Sequence, residues 1–200
     1  SNIANETINN QGIVIKNWWS PDLPEEIDNA KEYALAIGRL EKVKGFDLLI
    51  KSWIGIESKL VIVGSGDEYK NLKGLISDNK LQEKISIVAD LPFKELIKFY
   101  SKASILIVSS RNEGGPRVAL EALYLKIPVI STNVGHMAEI LPQELLAKPN
   151  DLESLRTLIH SYVGNNNINQ DAIFRYVNEE YSLTKQSNKV IDIYKELLVS

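Results

Sequence analysis

Two glutamates, Glu113 and Glu121, have seven residues between them, with Gly114, Gly115, Pro116, Arg117 and Val118 opening the interval. Pro116 suits a helix start, where its missing N–H costs nothing. Two glycines ahead of it strip side-chain bulk from the first backbone N–H groups, which makes an anion site. Glu113 falls in the loop before that helix, and Glu121 interrupts an otherwise apolar run. Residues 114, 117, 121 and 124 share one stripe. They read either as a solvated face with an Arg117–Glu121 pair at i, i+4, or as a carboxylate aimed at a vicinal diol, two acceptor oxygens meeting two hydroxyls. The residue types alone leave both readings open.

Two cations precede this segment. Arg39 and Lys44 lie between an apolar run and the helix after it, with Lys42 as a substitute for either. Fixed cations near a helix N-terminus suit a diphosphate; as a bare pattern they are equally two surface charges. Gly64-Ser65-Gly66 makes a tight turn in which a ligand can approach the backbone. It is no dinucleotide fingerprint, because Tyr69 occupies the position of the third glycine, and no P-loop pattern occurs.

Composition narrows the chemistry further. With no cysteine, thiolate zinc sites, disulfides and cysteine nucleophiles are excluded, and two histidines, His136 and His160, build no histidine-rich metal site. No metal and no cofactor is expected. A formal net charge of -3 argues against nucleic-acid binding. No apolar run reaches the ~20 residues needed to span a bilayer. The polar, Asn-rich start carries no signal-peptide pattern, so the expected location is the cytoplasm, with peripheral membrane association through a further domain.

The elements that position these residues follow from periodicity. Apolar runs at 33–37, 59–63, 85–89, 104–109 and 127–131 alternate with helical spacing at 46–56, 67–79, 92–100 and 116–125. The runs are predominantly apolar rather than alternating, as in strands covered on both faces, which predicts an α/β, doubly wound, Rossmann-like parallel sheet. Residues 145–147 make a last short edge strand, helices follow at 151–163, 169–180 and 183–199, and residues 164–167 form a loop. In such a sheet ligands bind beyond the carboxyl ends of the strands. Gly38-Arg39, Gly64-Ser65-Gly66, Ala89-Asp90-Leu91, the segment 110–115 and the segment 132–135 all stand there. The expected division is a tail and linker over 1–22, a Rossmann-like domain over 23–180, and a C-terminal helix over 181–200.

Together these pieces resemble the donor-binding, C-terminal domain of the retaining GT-B glycosyltransferases of the group 1, glycogen-synthase-like family. The resemblance runs from about Val14 to the last helix. Gly38-Arg39-Leu40 with Lys44-Gly45, Val63-Gly64-Ser65-Gly66, the pair Glu113 and Glu121, and residues 128–139 look like its motifs in order; residues 14–18 resemble the interdomain linker. The resemblance implies that Arg39 and Lys44 bind the diphosphate, Glu113 the donor-sugar hydroxyls, and Glu121 the ribose. The backbone of Gly115 to Val118 would meet the distal phosphate or sugar, and that around Leu91 the base. Arg39, Lys44 and Glu113 would be catalytic, and Gly38, Gly64, Gly66, Gly114, Gly115, Pro116 and Arg117 would complete the binding set.

The implied activity is transfer of a sugar, with retention and without a metal, from a UDP or GDP sugar to a glycan or lipid acceptor. It is of hexosyltransferase type and serves polysaccharide synthesis. Family members have two similar domains, so the acceptor domain is expected to precede this chain, and the chain alone is expected to bind nucleotide weakly and to transfer little. The alternatives are a nucleotide-sugar epimerase of the same architecture and a non-catalytic regulatory domain. The sequence departs from the family pattern at His136, at Ala89 and over 141–148. His136 reads as a helix-start residue with no proton-transfer role, His160 as structural, and Trp18 and Trp19 as packing residues.

Overall fold

A computed structural model describes residues 16, 23–24, 27–28, 30–89, 91–164 and 169–199. The apolar run at 12–15, Trp18, Trp19, Asp90, most of the 164–167 loop and parts of the connector before residue 30 lie outside the described residues.

Six strands form one parallel sheet in the order β3-β2-β1-β4-β5-β6. They are β1 (Tyr33–Ile37), β2 (Leu60–Val63), β3 (Ile85–Val88), β4 (Ala103–Val108), β5 (Val129–Thr132) and β6 (Leu146–Ala147). Every pairing is parallel, with Ala34 opposite Leu60 on one side of β1 and Ile105 on the other. β2 and β5 are buried along their whole length and β1 and β4 nearly so, which requires helices on both faces. The edge strand β3 departs from expectation: Ile85 is buried and Ser86 exposed, because an edge strand is covered less completely than the centre.

The helices are α1 (Phe46–Ser52), α2 (Tyr69–Asp78), α3 (Phe93–Tyr100), α4 (Arg117–Tyr124), α5 (Met137–Ile140), α6 (Leu152–Tyr162), α7 (Asp171–Glu180) and α8 (Leu183–Val199). α1 packs against α2 and α6, whereas α4 packs against α7, which also meets α5 and α8. Phe46, Leu49, Ile50 and Trp53 are all buried, as their spacing predicts. α1 is nevertheless shorter than the expected 46–56. The chain turns at Gly55, whose φ is +90°, and Trp53 Nε1 donates to the Ser58 carbonyl at 2.8 Å. α2 starts two residues late because the chain spends Gly66, Asp67 and Glu68 in a turn anchored by Glu68 N–H to Leu40 O at 2.9 Å. Among the described residues no helix is long and apolar enough to cross a membrane.

Candidate functional site

The strand order reverses direction between β1 and β4. The crevice beyond their carboxyl ends is where an open α/β sheet takes its ligand. β1 runs into Gly38, Arg39 and Leu40, then a short 3-10 turn over Lys42–Lys44, then Gly45 and α1. β4 runs into Ser109, Ser110 and Arg111, and Pro116 caps α4 in extended conformation.

These two loops are joined by their backbones. Ser109 Oγ donates to Lys44 O at 2.9 Å, and Arg111 N–H donates to Val43 O at 2.7 Å. Arg111 Nη1 reaches Lys42 O at 2.6 Å, and its two Nη groups grip both oxygens of Asp47 at 2.8 Å each. Its Nε donates to Asn150 Oδ1 at 2.8 Å. Burial pushes the Asp47 carboxyl up, but the Arg111 hydrogen bonds and charge outweigh it and hold it below its ordinary range. Gly45 has a φ of +67°, and a Cβ there would fall 2.0 Å from the Ser109 carbonyl oxygen. Only glycine allows the loops to come so close.

Lys44 is delivered by this junction. Its Nζ lies 2.8 Å from Glu113 Oε1, with side-chain exposures of 21% and 13%. Ser110 Oγ donates to the same oxygen, and among the described residues Oε1 is the engaged one of the pair. The structure therefore brings together Lys44 from the loop after β1 and Glu113 from the loop after β4. Arg39 stands on the same loop, but its side chain is 74% exposed and pairs with Glu41 at 2.6 Å. Lys42 is exposed and contributes its carbonyl rather than its charge.

Glu121 lies deeper. It is 5% exposed, so the solvated-face reading is wrong: α4 is held between the sheet and α7, and this stripe of the helix turns inward at residue 121. The i, i+4 pair with Arg117 exists at 3.3 Å. The shorter contact is with Tyr100 at the end of α3, which donates its hydroxyl to Oε2 at 2.9 Å. Burial pushes the Glu121 carboxyl above its ordinary value, with the Tyr100 hydrogen bond and the Arg117 charge acting against that rise. An ionisable group held at such a cost is common at functional sites.

The remaining expected site residues divide in two. Gly64 and Gly66 follow β2, yet their open space is taken by the protein itself: a Cβ would lie 1.9 Å from Gly38 O and 2.6 Å from Leu40 O, respectively. Their smallness serves loop-on-loop packing. Gly38 supplies the carbonyl that Gly64 admits. Gly114 is different, since a Cβ there meets nothing within 4 Å. Gly115 and Pro116 flank an apolar recess with Leu120, His136, Met137, Ile140 and Tyr181. Arg117 is exposed, Val118 half-buried in the first turn of α4, and Leu91 half-buried after β3. His136 starts α5 and pairs with Glu139 at 2.7 Å; His160 is exposed on α6. Sequence reasoning missed Ser110, Arg111, Asp47 and Tyr100. The segment 110–115 was legible as a strand end, but nothing in it assigned Arg111 to Asp47, and Tyr100 reads as one more core position on a helix.

Three kinds of chain resemble this one. A family model described as glycosyl transferases group 1 matches residues 22–177. An uncharacterised glycosyltransferase of Methanocaldococcus jannaschii is 31% identical over 169 residues, covering 82% of this chain and 47% of its own length. Sucrose-phosphate synthase from Thermosynechococcus elongatus superposes with a TM-score of 0.76 at 23% identity, over 92% of this chain and 50% of that one. The Anabaena protein HepE, solved in complex with UDP, superposes with a TM-score of 0.74 at 15% identity, over 84% of this chain and 49% of its own. The two structures match in fold. The chain spans about half the length of the curated relatives it matches.

Proposed function

We propose, because this chain belongs to the glycosyl transferases group 1 family, that it is the nucleotide-sugar-binding half of a retaining, hexosyl-transferring enzyme. The observation that carries the reading is the Lys44–Glu113 contact at 2.8 Å, made across the two loops that flank the β1/β4 reversal. A cation and a carboxylate held together there suit a ligand with a pyrophosphate at one point and hydroxyls at the next. The domain is taken as residues 23–180, with the acceptor domain elsewhere in the full protein.

In this reading the bond from the anomeric carbon to the phosphate oxygen breaks, and the nucleoside diphosphate leaves with one more negative charge. Lys44, Arg39 and the backbone N–H groups of Gly115, Arg117 and Val118 at the start of α4 stabilise that charge. Glu113 accepts from donor-sugar hydroxyls, Glu121 from the ribose, and backbone near Leu91 meets the base. The acceptor hydroxyl, of a glycan or a lipid, gives up its proton to the departing diphosphate oxygen and forms the new glycosidic bond. Holding both partners in place removes much of the entropic barrier. HepE was solved with UDP, which makes UDP the first donor nucleotide to test, with GDP next. Cytoplasmic polysaccharide synthesis is the expected setting.

A thermal-shift screen with UDP, GDP and ADP at millimolar concentration tests the proposal. A nucleotide at ten times its dissociation constant adds about 1.4 kcal/mol, or about 4 °C for a chain of this size. Selective stabilisation by one base, abolished by Lys44→Ala, is expected. If none of the three raises the melting temperature, the donor-binding reading is lost.

A further inference from the structure

We propose that Tyr100 is a positioning residue that aims the Glu121 carboxylate at a vicinal diol. The proposal rests on the reading of Glu121 as the ribose contact and deepens it.

Tyr100 ends α3 and is 0% exposed, and Glu121 on α4 is nearly as buried. The Tyr100 hydroxyl donates to Glu121 Oε2 at 2.9 Å. Among the described residues the other charged group on this carboxylate is Arg117, which is 3.3 Å from Oε1, lies one turn away on the same helix, and is mostly in solvent. The terminal torsion of a glutamate is soft and roughly two-fold, so the carboxylate plane is undefined unless something pins it. An exposed guanidinium on a long chain pins it poorly. A phenol packed on all sides has two torsions, both fixed by its surroundings, and its hydroxyl sets the plane of Oε2. The remaining lone pairs then point in one direction, as bidentate acceptance from two hydroxyls requires.

Packing alone does not call for tyrosine at this position, since phenylalanine fills the same space. Its hydroxyl is buried, and a buried hydroxyl needs a partner; the carboxylate is that partner. Burial raises the carboxyl's pKa and the bond works against that rise, which favours the acceptor form, since a protonated carboxyl gives up an acceptor. Tyr100 itself stays a donor, because burial and then the Glu121 charge hold its hydroxyl well above its ordinary range. α3 follows the Leu91 loop, so the helix that starts beside the expected base contact ends by holding the expected ribose contact.

The test is calorimetric titration of this chain with UDP and GDP, with their 2′,3′-dideoxy forms, and with inorganic pyrophosphate. Tyr100→Phe, Glu121→Gln and the double variant are compared with the parent, with melting curves to verify folding. Tyr100→Phe is expected to cut the preference for the ribo form about tenfold, the scale of one lost charged hydrogen bond. Pyrophosphate affinity should stay unchanged, and Tyr100→Phe should cost nothing further in the Glu121→Gln background. Equal losses for ribo, dideoxy and pyrophosphate ligands would mean a packing role and overturn the proposal. Full ribo preference in Tyr100→Phe with loss in Glu121→Gln overturns it too, while leaving the ribose reading intact. If Glu121→Gln also keeps the preference, the ribose reading itself falls and takes this proposal with it.

Discussion

Glu121 is the residue at which stability and the proposed ribose contact pull in opposite directions. Its folded pKa is raised, first by burial. A raised carboxyl contributes stability below its unfolded pKa and loses that contribution as pH rises through the folded value. At neutral pH the charge is therefore a burden on the fold. Glu121→Gln keeps the shape, and its amide oxygen can still accept from Tyr100. We expect a melting temperature equal to or a few degrees above the parent at pH 7, together with about tenfold weaker nucleotide binding. A drop of several degrees with unchanged affinity would make Glu121 a structural ion. Lys44 and Arg39 differ in the same spirit: one is held at a fixed place by Glu113, the other extends into water beside Glu41.

The strands and helices meet the site through loops that touch backbone to backbone, and glycines set how close they come. Gly45 against Ser109, Gly64 against Gly38, Gly66 against Leu40 and Gly135 against Gly114 are four such approaches. Gly45→Ala adds a Cβ 2.0 Å from a carbonyl at a φ of +67°. The loops must part, at a cost of about 1–3 kcal/mol, and Lys44 moves away from Glu113. Melting temperature and nucleotide affinity should fall together. Gly114→Ala is the contrast, because nothing stands within 4 Å of the new methyl group. Its melting temperature should stay within about 1 °C of the parent, consistent with a neutral surface change, while nucleotide binding weakens if a ligand approaches the backbone there. Melting curves and titrations on the two variants separate packing glycines from ligand-facing ones.

Across the whole chain the acid limit is set by carboxylates with partners. Asp47 is held low by Arg111 once burial is outweighed, and His136 and Lys185 lower Glu139 and Glu180 in turn. Each depressed group contributes stability above its unfolded pKa and loses it as pH falls through the folded value. Glu121 runs the other way. The melting temperature should therefore decline below about pH 4, near and under ordinary carboxylate values. The advantage of Glu121→Gln should shrink earlier, as pH falls from the raised folded value of Glu121 towards an ordinary carboxylate value, because a proton on Glu121 removes the same burden. A constant advantage from pH 7 to pH 3.5 would show that Glu121 carries no penalty. At this scale the described residues form one six-stranded sheet, and the chain is about half as long as the curated relatives it matches.

How much of this was legible in the residues differs by kind. Short apolar runs such as Leu60–Val63 and Ile105–Val108 read as buried strands, and their alternation with helical spacing reads as a parallel doubly wound sheet. Periodicity is local, so the sequence by itself determined the fold class, the ends of the strands, and with them the places of Arg39, Lys44, Glu113 and Gly114. Contacts between distant segments are not local. The sequence left Lys44 and Lys42 interchangeable, Glu121 either solvated or buried, and Gly64 and Gly66 free for a ligand. The tertiary structure decided each: Gly45 and Ser109 aim Lys44 rather than Lys42 at Glu113, α3 closes over Glu121 through Tyr100, and the loop after β1 fills the space at Gly64. The physical reason is that a side chain's charge and a glycine's space acquire meaning only from what packs against them. Here the partner comes from a segment 69 positions away for Lys44 and 21 for Glu121.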